Sequence, residues 1–101
     1  MHPTRNDLPK DTRVAMVKLL NERLADAIDL QLQAKQAHWN VRGPHFISLH
    51  ELFDKVSEEA LGFIDEIAER ASALGGVAEG TLAAASSRTT LAAYPLTISD
   101  G

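Results

Sequence analysis

The stretch Lys35–Gly76, KQAHWNVRGPHFISLHELFDKVSEEALGFIDEIAERASALGG, decides how this chain folds. It carries three of the four histidines and the single tryptophan. On a helix that turns roughly 100° per residue, with His50 at zero, Asp54 falls near 40°, Asp65 near 60° and Glu69 near 100°. Leu49, Leu52, Phe53, Val56, Ala60, Phe63, Ile64, Ile67, Ala71 and Leu74 gather between roughly 200° and 320°. One helix, helix B, from about residue 46 to 74, thus presents an apolar face to a core and a separate stripe of His, Asp, Asp and Glu. That stripe needs an explanation beyond packing.

Upstream of Arg42-Gly43-Pro44, which stops a helix because Gly suits the residue past its end and Pro cannot continue it, no glycine or proline interrupts Val14–Val41. Val17, Leu20, Leu24, Ala27, Ile28, Gln31, Ala34 and His38 share one arc. Helix A is expected over about 12–41, with Asp11 or Thr12 as N-cap. The short break makes A and B antiparallel neighbours. Residues 1–10, with two prolines and no periodicity, read as a flexible tail. Downstream, residues 77–101 read as a linker in which Ser86 or Ser87 caps a short helix through Leu91–Tyr94, ended by Pro95. Residues 11–101 then form a single unit.

At 101 residues the chain is at most one small domain, and its 24% charged and 45% hydrophobic content fits a globular protein rather than a disordered one. There is no cysteine, so disulfides and thiolate metal sites are excluded. The N-terminus lacks the apolar core of a signal peptide and no run is long enough for a bilayer, so a cytoplasmic location without membrane contact is expected. A net charge of −4 argues against a generally basic nucleic-acid-binding surface. Two amphipathic helices cannot bury both faces on each other alone, so the hairpin is expected to be completed by further helices or by another subunit.

His50/Asp54 and Asp65/Glu69 are i, i+4 pairs, each able to present two ligands to one ion. Imidazole and carboxylate without sulfur suit Fe(II), Mn or Zn. The pairs lie roughly 22 Å apart along the axis, too far for one ion to bridge within one helix. Either there are two separate sites, or two chains pack so that each pair meets the other chain's. His38 could add an imidazole, with Lys35 one turn before it. The same residues also fit a blander reading: Asp65 and Glu69 as a solvated face, His38 as a hydrogen-bonded core histidine, Trp39 as a packing aromatic. Glu51, Glu58, Glu59 and Glu66 read as solvated, and His2 and His45 as surface residues.

The motif HWNVRGPHF from His38 to Phe46, then His50 and Asp54, then IDEIAERASALGG from Ile64 to Gly76, resembles the Dps family, the DNA-binding proteins from starved cells or miniature ferritins. The resemblance extends over about Val14–Leu96. It implies an all-α, ferritin-like four-helix bundle, of which this chain carries the first two long antiparallel helices and the short linker helix. It also implies a homo-oligomer, a dodecamer built from twofold dimers. By the resemblance His38, His50 and Asp54 are iron ligands from one subunit and Asp65 and Glu69 those from its partner. Lys35 matches a position where an ammonium steadies a neighbouring carboxylate, and Trp39 an aromatic beside the site.

The implied activity is ferroxidase: Fe(II) is oxidised, preferably by hydrogen peroxide, and ferric oxide is stored, which protects DNA. Iron is the implied metal, with Zn or Mn as substitutes. The chain ends where a third helix should follow, so helices C and D are expected to be absent and the apolar faces of A and B left uncovered. Two other readings stand beside this one: a nucleoid-associated, DNA-compacting protein, and an inactive structural fragment. For the DNA reading, non-specific contact rests on Arg5 and Lys10 alone, a weak signal.

Overall fold

The computed structural model describes residues 7–97, in which three helices occur in the order α1 (Lys10–Asn40), α2 (Phe46–Ala73) and α3 (Leu82–Arg88), with no strand among the described residues. Helix α1 starts earlier than expected. Pro9, at φ −53° and ψ 147°, is its N-cap, and neither Asp11 nor Thr12 caps it. Proline's fixed φ suits a helix entrance, and no side chain caps the first turn. Lys10, expected in the tail, is therefore helical and exposed.

The break behaves as its residues dictate. The N–H of Val41 closes on Ala37 O at 2.9 Å, Gly43 takes φ 104°, and the chain re-enters a helix at Phe46. At the other end of α2, Gly75 takes φ 85°. Its N–H reaches Ser72 O at 2.9 Å, and that of Gly76 reaches Ala71 O at 3.0 Å, the paired closure of a Schellman motif. The Arg13 guanidinium donates to Leu74 O at 3.2 Å, placing a cation where the α2 dipole is negative.

The two long helices run antiparallel in one register. Each step back along α1 is matched by a step forward along α2: His38 meets His50, Lys35 meets Asp54, Gln31 donates to Ser57 Oγ at 3.0 Å, and Arg13 meets Leu74. The buried seam is built largely of small residues, Ala25, Ala34, Ala37, Ala60 and Ala71, around Leu24. Short side chains let the helices approach closely. None of the expected α1 arc from Val17 to His38 is exposed.

On α2 the arc is covered only in part. Leu52 and Phe63, at its 200–220° edge, are 51% and 57% exposed, whereas Phe53, Val56, Ala60, Ile64, Ile67, Ala71 and Leu74 are not exposed. A single neighbouring helix covers only the side it touches.

The linker departs from expectation. The short helix is Leu82–Arg88, not a helix through Leu91–Tyr94, and its cap is Thr81, whose hydroxyl accepts from Ala84 N–H at 3.3 Å, not Ser86 or Ser87. Thr89 and Thr90 end it by turning to α1: Thr90 N–H and Oγ1 reach Asp26 Oδ1 at 2.7 and 3.0 Å, and Thr89 Oγ1 reaches Asp29 Oδ2 at 2.8 Å. Buried Asn21 fastens the segment before α3, donating to Val77 O at 3.0 Å and accepting from Glu79 N–H at 2.9 Å. Among the described residues no helix is long and apolar enough to cross a membrane.

Candidate functional site

The register that packs the alanine seam also sets four polar side chains opposite one another near the hairpin turn: Lys35 and His38 on α1, His50 and Asp54 on α2. The two imidazoles stack, with centroids 3.6 Å apart and planes inclined by 22°. Each donates from Nδ1 to the other's backbone carbonyl, His38 to His50 O at 2.5 Å and His50 to His38 O at 2.8 Å. A carbonyl only accepts, so each Nδ1 carries a proton, and in the uncharged form of either ring the lone pair lies on Nε2. His38 O is one of the last four carbonyls of α1, which have no partner within the helix, so the His50 bond also caps α1. Phe46 packs on His50 with centroids 5.1 Å apart.

Asp54 lies one turn further along α2. Its Oδ1 accepts from Lys35 Nζ. That hydrogen bond is the main cause holding the Asp54 carboxyl below its ordinary value; desolvation acts the other way, and the charges of Lys35, His38 and His50 add to the lowering. The pair is about one-third exposed on either side, so its attraction is screened. His38, His50 and Asp54 are nitrogen and hard-oxygen donors of the types suited to Fe(II), Mn(II) or Zn(II), but the three do not converge into a metal-holding group within the described residues of one chain.

Asp65 and Glu69 stand elsewhere. Both are exposed on α2, roughly 16 and 22 Å beyond Asp54 along the axis. No group of three or more His, Asp or Glu able to hold a metal forms among the described residues. Glu51, Glu58, Glu59, Glu66 and His45 are exposed, as a solvated surface requires. Trp39 is 66% exposed on the last turn of α1, and the aromatic ring packed on His50 is that of Phe46. Phe46 was missed as a site residue, although its spacing of four from His50 was a readable signal. Arg5 and His2 lie outside the described residues.

The fold and its carboxylate and imidazole stripe define a protein class, the ferritin-like proteins, and a model of the ferritin-like domain matches residues 17–99. A DNA protection during starvation protein of Agrobacterium fabrum is 50% identical over 97 residues, which is 96% of this chain and 60% of that protein. Among solved structures, DpsC from Streptomyces coelicolor superposes with a TM-score of 0.90 at 38% identity, covering 95% of this chain and 56% of that one. Mycobacterium smegmatis Dps in its tetragonal form superposes with a TM-score of 0.91 at 34% identity, covering 99% and 61%. This chain belongs to the Dps family. It spans about 60% of the length of these relatives.

Proposed function

We propose that this chain binds Fe(II) as substrate and oxidises it at sites shared between two copies. His38, His50 and Asp54 come from one copy, and Asp65 and Glu69 from the other. The observation that carries the reading is the reciprocal bonding of the two histidines, which directs both Nε2 lone pairs away from the backbone beside an ionised Asp54. The separation of Asp65 and Glu69 from Asp54 along their own helix, roughly 16 and 22 Å, supports a second copy as the source of the remaining ligands.

The chemistry follows from the donors. Neutral imidazole retains Fe(II), and carboxylate oxygen favours Fe(III), so carboxylates brought to the ion make it easier to oxidise. Two Fe(II) ions each give one electron to one hydrogen peroxide, which takes up two protons and leaves as two waters, so no hydroxyl radical escapes. The family relationship supports a homo-oligomer, a dodecamer of twofold dimers, that stores the ferric product and shields DNA in the cytoplasm. Zn(II) and Mn(II) compete for the same donors. Direct DNA contact through Arg5 and Lys10 is the lesser part of the proposal; a gel shift seen at low salt and lost at high salt supports it, and its absence at low salt removes it.

Anaerobic Fe(II) titration followed by peroxide tests the main reading. Saturable binding and rapid ferric formation are expected, and both are expected to be lost in His50→Ala and in Asp65→Ala. Oxidation no faster than in buffer, or unchanged in both variants, overturns it.

A further inference from the structure

Lys35 is the one group at the site with the same sign of charge as the ion the site is read as binding. Its ammonium donates to Asp54 Oδ1, an oxygen a cation would use. The stem rises from α1 one turn before His38 and reaches across to α2.

The charge inventory shows what this does. His38 and His50 are neutral ligands, and Asp54 with Lys35 sums to zero, so one copy's share of the site carries no net charge. Asp65 and Glu69 from a second copy bring the metal-free whole to −2. Without the ammonium the whole is −3.

We propose that Lys35 is a built-in competitor for the cation: it occupies Asp54 when no metal is bound and must leave for a divalent ion to use that carboxylate. This rests on the reading of His38, His50 and Asp54 as metal ligands given above. Lysine suits the task. A compact charge on a flexible four-carbon stem can swing aside, whereas a hydrophobic residue would place no charge there to be displaced. The partial exposure of the pair leaves the ammonium a route to water and keeps the attraction weak enough for a divalent ion to overcome. The consequence is a site that binds a divalent ion more weakly than its ligands alone would.

Co(II), which is coloured and stable to redox change under anaerobic conditions, reads this without any turnover. Titrations at fixed ionic strength compare the parent with Lys35→Gln and Lys35→Met, which remove the charge, and Lys35→Arg, which keeps it. The two neutral variants are expected to bind Co(II) about three- to tenfold more tightly, and Lys35→Arg to stay near the parent. Thermal melts identify any variant that has not folded, and two neutral side chains of different character guard against losing one. Equal or weaker Co(II) binding in a folded neutral variant overturns the proposal, since the ammonium would then steady Asp54 rather than compete. His50→Ala and Asp54→Asn separate the two readings. If they abolish binding while the Lys35 variants match the parent, the metal site stands and the competitor role falls. If they bind as the parent does, Co(II) sits elsewhere and both fall.

Discussion

Asp26 holds the segment after α3 against the middle of α1, with one carboxylate oxygen accepting from the N–H and hydroxyl of Thr90. The backbone bond from Thr90 is the main cause holding its carboxyl below the ordinary value; burial opposes it, and the Thr90 and Thr89 hydroxyls and the charge of Arg23 assist. The folded chain thus releases this proton more readily than the unfolded one. The resulting stability is present above pH about 4 and is lost as pH falls through the lower folded value. Urea unfolding between pH 6 and 2.5 should show that loss in the parent and a flatter profile in Asp26→Asn. Gly76 answers a different constraint: a Cβ there would meet Val17 Cγ1 at 2.4 Å and Cγ2 at 2.7 Å. Gly76→Ala is expected to cost about 1–3 kcal/mol in denaturant unfolding, with part of the loss recovered when Val17→Ala is added.

At the scale of elements, α3 is seven residues long and too short to persist without help. Its help is the Thr81 cap at one end, the threonine latch on Asp26 and Asp29 at the other, and buried Ala85 against the hairpin. Thr81→Ala is expected to destabilise the chain by about 1 kcal/mol and to speed amide exchange in α3 well before α1 or α2 is affected. Unchanged exchange there would mean that the latch alone holds the helix. The cap was readable as Thr-Leu-Ala-Ala after Gly80. Ser86 and Ser87 drew attention as capping residue types, but tertiary bonds from Thr89 and Thr90 end the helix where a capping motif had been expected to start one.

At the scale of the whole molecule, the site makes a quantitative claim about assembly. If ligands come from two copies, neither His50→Ala nor Asp65→Ala alone has an intact site, yet a hybrid of the two has one. Random pairing in an equal mixture, unfolded and refolded together, should restore about a quarter of the parent's Fe(II) sites, counted by anaerobic titration. No recovery would place both halves of the site within one chain. The exposed edge of α2 at Leu52 and Phe63, with Leu61 at 52% and Ile47 at 63%, is apolar area that a partner surface would bury. Charged substitution at Phe63 is therefore expected to shift the protein to smaller species on a sizing column.

Local chemistry wrote much of this into the sequence. The Arg42-Gly43-Pro44 break, the Gly75-Gly76 ending and the 3.6-residue periodicity depend on neighbours in the chain, and so were legible from it. The helix wheel likewise separated His50, Asp54, Asp65 and Glu69 from the apolar face. Only the tertiary structure decided the rest, because it depends on which residues of α1 lie opposite which residues of α2. That register brought Lys35 onto Asp54, closed each histidine on the other's carbonyl and left Trp39 exposed. It also left Asp65 and Glu69 without a partner group of metal ligands among the described residues, since roughly 20 Å of rigid helix cannot be folded back on itself.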